Sequence, residues 1–496
     1  MFSSQALPVS WAPAVTSDLE ATSLSIWAVA ALAVTDKYGH SIPHGPVGLP
    51  ILGSFYSLTR YPELTLDYCA KRFGKLYSIW LGNQLFVIVS DPEGAKDLLL
   101  TNGNVFSSRK EIFIKSQTVF AGRGITATPR KHCRIATTWL NQRAVDFYFP
   151  TLDYESLSLI KTLFDESQGE LVPVNPQPHA GRCSLNNMTT ITFSFSTDSI
   201  KHPLVGQALK LSRELMNCAG PMSNLVDFVP LLQYLPTPMH QCGKKLHEDL
   251  VKTYGGIIKD TERGMKEGKK VVVDCLAKTM IEVRDKEDLD DLDMAILASA
   301  FMISGVETTA AIMQWFSVLI PSYPEIQKKA QEELDRVVGR GRLPGIEDEK
   351  YLPYCHTIIK EVERGHNPSE TMGILNTWTM HYDSARHSNP ETFDPDRYIN
   401  DPLTSAESTN VANPMERDHW MFGAGRRICP GMLVVEREIW LTISRMLWAF
   451  DMYEIPDEPI DLKEYDGLSG HSPVPFRIGL KPRHENVAKV LQGIEI

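Results

Sequence analysis

The sequence predicts a mainly α-helical domain with a minor β-sheet, and three stretches carry that prediction. Helical apolar spacing dominates from about residue 135 to residue 340. Within it, Leu289 to Ile320 is almost wholly apolar at its centre and is stopped by Pro321 and Pro324. Near the C-terminus, Phe422-Gly-Ala-Gly-Arg-Arg-Ile-Cys-Pro-Gly431 is a glycine-rich turn that delivers one cysteine to the mouth of another apolar helix. Glycine lets the backbone take positive φ and pass close to a flat partner. A cysteine at a helix start has its thiolate favoured by the free N–H groups and dipole there.

The totals narrow the function. With 496 residues, 43% hydrophobic and 22% charged, the chain can bury a large core. A net charge of −11 with no long basic run argues against a nucleic-acid surface. Cysteines stand at 69, 133, 183, 218, 242, 275, 355 and 429 with no Cys-x-x-Cys pair, which excludes the usual zinc and iron–sulfur spacings. They read as small core residues in a reducing compartment.

In chain order, the first apolar run is Leu24 to Val34. It is shorter than the ~20 residues a spanning helix needs and lacks the basic flank of a signal peptide. Three readings stay open for it: an interfacial helix, a reduced anchor or a packed helix. Pro43 to Gly53 is too rich in Pro and Gly for helix or strand and reads as a stiff linker, giving an N-terminal segment 1–42 and a domain 43–496. Leu76 to Val89 holds two β-rich runs split by Gly82-Asn83, a hairpin signal. Asp91-Pro92 then opens a helical pattern through Leu100, and loops are expected at 169–181, 219–223 and 235–238. Val271 to Asp291 is charged and reads as surface. Tyr323 to Val338 and Tyr354 to Arg364 read as helices.

Two constellations lie in the helical part. The long apolar helix carries Ser304-Gly305-Val306-Glu307-Thr308-Thr309 at its centre. A carboxylate there is costly to bury without partners, threonine can bond back to the i−4 carbonyl, and Gly305 would admit a flat ligand. The bland alternative is a polar knot steadying a kink. Glu361 and Arg364 stand at i, i+3 on one helix face, by themselves an ordinary surface pair of ~0.3–0.5 kcal/mol.

The cysteine stretch resembles, without a gap, the haem-binding signature Phe-x-x-Gly-x-Arg-x-Cys-x-Gly of the cytochromes P-450. Ser304 to Thr309 resembles the family's distal-helix pattern, with Ser304 in place of the more usual Ala or Gly. Glu361-x-x-Arg364 and Pro390-x-x-Phe393-x-Pro395-x-Arg397 resemble two further family segments, in the right order, and the resemblance spans about residues 40–485. It implies a single-domain fold with haem b between the long distal helix and the cysteine loop. Cys429 would be the iron ligand, with Phe422 near the sulfur, Gly425 and Gly431 shaping the loop and Arg427 on a propionate. Glu307 and Thr308 would relay protons to dioxygen, and Glu361, Arg364 and Arg397 would form a buried structural triad. It further implies a small apolar substrate, O2, and NADPH electrons through a partner reductase. An anchor would hold the chain on the cytosolic face of the endoplasmic-reticulum membrane. The pattern is most like fungal monooxygenases of secondary metabolism.

Two places depart from the family. Only eleven residues, Gly365 to Leu375, separate Arg364 from Asn376-Thr-Trp-Thr-Met-His381, so about 20 residues that line the substrate pocket and touch a propionate in relatives are missing. Pro129 and Cys133 stand where relatives carry a propionate-binding Trp and Arg, leaving Arg130 or Arg134 to substitute. Rival readings therefore stand beside the monooxygenase: a haem protein impaired in turnover, a haem-thiolate isomerase that needs no reductase, and a haem-free binder of apolar ligands.

Overall fold

The computed structural model describes residues 42–58, 61–106, 108, 112–124, 130–219, 225–268, 274–365, 375–465 and 472–493. The expected anchor at 24–34, Pro129 and residues 366–374 of the short join lie outside them. The principal elements begin with α1 (Pro62–Phe73), then the antiparallel hairpin β1 (Leu76–Leu81) and β2 (Gln84–Val89), paired from Leu76↔Val89 to Leu81↔Gln84. A short helix at Pro92–Ala95 continues as a π-helical turn over Lys96–Thr101. Next come α2 (Arg130–Thr138), α3 (Gln142–Ser167), α4 (Gln177–Phe193), α5 (Pro203–Ala219) and α6 (Pro238–Leu250). The C-terminal half holds α7 (Asp291–Leu319), α8 (Pro324–Val337), α9 (Pro353–Gly365), α10 (Thr377–His381) and α11 (Met432–Ala449). The last pair is β3 (Phe450–Tyr453) with β4 (Gly479–Pro482). Helix dominates, and the minor sheet is two separate two-stranded ladders.

Helix α7 is the axis of the core, packed against α4, α5 and α11. A reciprocal capping box starts it: the Asp290 carboxylate accepts the Asp293 N–H at 2.6 Å, and the Asp293 carboxylate accepts the Asp290 N–H at 3.3 Å. Among the described helices it is the one long and apolar enough to cross a membrane, yet 83% of its apolar window is buried inside the protein. Its two buried serines are satisfied within the helix, Ser299 donating to Ala295 O and Ser317 to Met313 O.

Helix α4 is polar in sequence and buried all the same. Asn186 donates to Glu155 of α3 at 2.9 Å and Ser184 donates to Glu438 of α11 at 2.6 Å, so polar groups dock the helix that follows the cysteine. Burial pushes the Glu438 carboxyl up to about 7.

Three local expectations are corrected. The loop expected at 169–181 ends early, because Pro176 and Pro178 start α4 rather than break it, a position where a missing N–H costs nothing. The stretch from 271 to 291 is not all surface. Leu276–Glu282 is a helix whose Leu276, Ala277 and Met280 are buried, since apolar residues three and four apart make one inward face. Pro43–Gly53 is no free linker. Ser78 of β1 donates to Pro43 O at 2.6 Å, and Gly53 bridges Leu81, so the segment lies along the hairpin edge.

Phe316 is fully buried in α7. Phe316→Ala is expected to lower the unfolding free energy by about 3–5 kcal/mol in urea titration, through lost transfer energy and a residual cavity.

Candidate haem-binding site

The cysteine loop owes its shape to two glycines and one return hydrogen bond. Gly423 and Gly425 have φ of +72° and +62°. A Cβ at Gly425 would stand 2.0 Å from the Leu99 carbonyl oxygen, so the π-helical turn at Lys96–Thr101 can approach only a glycine. The Cys429 N–H donates to Phe422 O at 2.8 Å and closes the loop. Cys429 is half-buried. Gly431 caps α11, and a Cβ there would lie 4.0 Å from the Cys429 sulfur, so residue 431 puts no side chain against it. Phe422 is buried, whereas Arg426 and Arg427 are exposed.

Between Met294 and Leu319, α7 is buried at every position except Ser304, Gly305 and Thr308. Thr308 Oγ1 donates to the Ser304 carbonyl at 2.6 Å, the i−4 bond expected for a mid-helix threonine. The Glu307 carboxylate is buried and accepts from Ser472 Oγ at 3.0 Å, a partner 165 residues away. Gly305 has another reason for being glycine than the sequence suggested. A Cβ there would meet Met188 Sδ at 2.4 Å, so it makes room for α4 rather than for a flat ligand.

These features fit a flat, thiolate-ligated macrocycle. One half-buried sulfur is presented on a glycine-shaped loop, and a core helix packed on the neighbouring α11 leaves one short polar window uncovered. Among the described residues no cluster of three or more His, Cys, Asp or Glu could hold a metal ion. Iron at Cys429 would therefore arrive with most of its ligands in a prosthetic group.

Behind the loop lies a buried ionic network. Glu361 accepts from Arg364 Nε at 2.8 Å through Oε2 and from Nη2 at 2.7 Å through Oε1, a bidentate pair, and Arg397 Nε stands 3.0 Å from the same Oε2. Arg364 also donates to the carbonyls of His381 and Pro390, at 2.9 and 3.0 Å. Arg397 donates to those of Ser388 and Thr392, at 3.0 and 2.9 Å. All three side chains are buried, so the magnitude of a surface pair does not apply. Arg417 donates to His419 O at 2.9 Å and Gly423 O at 2.8 Å, and its guanidinium sits 4.3 Å from the Trp420 ring centroid.

The structure places the other expected residues less decisively. Arg130 begins α2, and its side chain lies outside the described residues. Arg134 is not available as its substitute: it is exposed and ion-paired with Glu287, because the α2 pattern points it outward. Both flanks of the short join are pinned. Gly365 O accepts from Tyr382 Oη at 2.7 Å, and Asn376 N–H donates to Val89 O at 2.8 Å while Leu375 bridges β2. Sequence reasoning missed Arg417, His381, His419 and Glu363. A signal existed in Arg417-Asp-His419 just before the loop, but a histidine among charges reads as surface until its burial is known.

The chain belongs to the cytochrome P450 family. The family described as Cytochrome P450 matches residues 43–374 and 366–478, two pieces that meet inside the short join. Similar curated proteins include cytochrome P450 monooxygenase polD of Polytolypa hystricis, 29% identical over 94% of each chain. Cytochrome P450 monooxygenase virE of Hypocrea virens is 29% identical over 91% of this chain and 87% of its own. Cytochrome P450 monooxygenase fogE of Aspergillus ruber is 27% identical over 94% and 91%. The chain is thus an enzyme of the monooxygenase family that uses haem and a redox partner.

Two outcomes follow from the network. Glu361→Ala strands two buried guanidinium groups and is expected to cost about 3–5 kcal/mol in urea titration, against under ~1 kcal/mol for an exposed pair. Burial, then the charges of Arg386, Arg364 and Arg397, pushes His387 down to about 3. An unfolded histidine takes its proton near ~6.5, so below that pH the unfolded chain binds a proton the native chain refuses. Stability should fall as pH drops from ~6.5 towards 3, and His387→Asn should make the urea midpoint fall less between pH 7 and pH 5.

Proposed function

We propose that this chain is a haem-thiolate monooxygenase that inserts one oxygen atom from O2 into a small apolar substrate in fungal secondary metabolism. The observation that carries the reading is Cys429: a half-buried thiol on a glycine-shaped loop just before α11. The Cys429 thiolate would hold haem b, Phe422 and Gly425 would keep the loop's shape, and Arg427 would meet a propionate, with Arg130 as a second contact. When bound, haem supplies the oxygen-activating and oxidising chemistry.

The chain's own residues do the rest. The apolar flanks of α7 would keep water from a substrate bound beside Ser304 and Thr308. Thr308 holds a hydroxyl at the uncovered window and Glu307 holds a carboxylate on Ser472; in the proposed relay a proton would pass from the carboxylate side to the hydroxyl oxygen. Electrons come from NADPH through a partner reductase, with the N-terminal segment as the endoplasmic-reticulum membrane anchor. The family match comes in two pieces that overlap at 366–374, within the short join, and this favours one alternative, a haem protein whose substrate positioning is impaired. A reductase-independent isomerase has the weaker claim, because it needs no proton relay.

Purified full-length chain with reductase and NADPH separates these readings. A monooxygenase gives a thiolate-type Soret band in the reduced carbon-monoxide complex and NADPH-dependent product. The same band without product supports the impaired reading. Thr308→Ala is expected to lower coupled product formation about 100-fold, the low end for a lost proton-transfer group. Full coupled turnover in Thr308→Ala would sink the relay.

A further inference from the structure

We infer that His381 and His419 are positioning residues for the cysteine loop, setting the main chain of Trp420 to Phe422 and through it the placement of Cys429. This rests on the haem-thiolate reading above. Neither residue touches the sulfur, and their effect is carried by three consecutive backbone positions.

His381, at the end of α10, is fully buried and uses both ring nitrogens. Its Nδ1 lies 2.9 Å from the Arg364 carbonyl oxygen, and its Nε2 lies 2.8 Å from the Trp420 backbone nitrogen. A carbonyl can only accept and an amide N–H can only donate, so Nδ1 carries the proton and Nε2 is bare. The ring is a neutral bridge from the Glu361–Arg364 pair to the main chain two residues before Phe422. Burial, reinforced by the charges of His419 and Arg364, keeps His381 well below the usual histidine range, in line with that tautomer.

His419 grips the same strand from the other side. Its Nε2 lies 2.8 Å from Glu363 Oε2 and 2.9 Å from Ser405 Oγ, and its Nδ1 lies 3.4 Å from the Met421 backbone nitrogen. Its ring centroid is 5.7 Å from that of Phe422. The two imidazoles stand edge to face, 6.3 Å apart. Trp420 and Met421 are thus held by histidines bonded to α9, and Phe422 O receives the Cys429 N–H at 2.8 Å. Arg364, Glu361 and Glu363 share α9, so the ionic network and the sulfur are mechanically one unit.

A merely structural histidine would lower stability and leave the sulfur's ligation alone. The test uses the full chain as native protein, His381→Ala, His381→Gln, His419→Ala and His419→Gln. The control is His179→Ala, another buried histidine, on α4 with its Nε2 2.7 Å from a Glu166 carboxylate oxygen. Reduced carbon-monoxide spectra, haem content and urea midpoints are recorded for each. Both loop alanine variants should raise the ratio of thiol-type to thiolate-type Soret absorbance by about tenfold or more, the scale of one lost buried hydrogen bond. His381→Gln, whose amide keeps one donor and one acceptor, should recover most of that loss. His179→Ala should lower the midpoint with the spectrum unchanged. Native ratios in His381→Ala and His419→Ala at equal haem content overturn the positioning role, as does an equal spectral change in the control. A native chain without any thiolate-type band overturns the haem-thiolate reading, and the positioning role falls with it.

Discussion

The structure depends on charges that have been taken out of water. Helix α9 carries Lys360, Glu361, Glu363 and Arg364, all buried, and none of them could be kept charged there without a fixed partner. Arg397 completes the Glu361 site, Asp401 meets Lys360 at 2.7 Å, and His419 meets Glu363. Burial pulls the His419 ring down, yet Asp418 and Glu363 together raise it above the usual histidine range. Such a network gains little stability over an apolar core. It demands one geometry, because each misplacement leaves a bare ion. That demand ties α9 to the segment from 376 to 429 and leaves the cysteine loop few ways to sit.

On the opposite side of the core the balance is reversed. Helix α7 is apolar almost throughout and is held by packing, with Met188 seated against Gly305. Its few polar groups are settled locally or by partners far along the chain, Ser472 on Glu307 and Gln177 on Gln314, so Ser304 and Thr308 stand at an uncovered window without unravelling the helix. A rigid polar clamp behind the sulfur and an apolar wall with a hydroxyl in it suit oxidation of apolar molecules. Water must be kept out while a few protons are let in.

Much of this was legible in the sequence. The run from Leu289 to Ile320 announced α7 because apolar residues on every side leave no solvent face and two prolines end it. The hairpin at 76–89 followed from β-branched and aromatic runs split by Gly82-Asn83. The Cys429 loop was readable from its glycines. The charges of α9 were not, because Lys360, Glu361, Glu363 and Arg364 in five residues look like a solvated face. Their partners lie tens of positions later in the chain, beyond any local pattern. The role of Gly305 was misread for the same reason: Met188 is 117 residues away, and a glycine states that something is close without saying what. Buried α4, with its asparagines and threonines, hid its place in the core because its polar groups are satisfied only in the assembled fold.

The central claim is that Cys429 is bonded to iron as its thiolate. X-ray absorption at the iron edge of the purified protein reads this directly. The account predicts one sulfur scatterer beside the ring nitrogens, absent in a Cys429→Ala variant that still binds haem. An iron with no sulfur neighbour in the native chain, or an unchanged sulfur signal in Cys429→Ala, would contradict it.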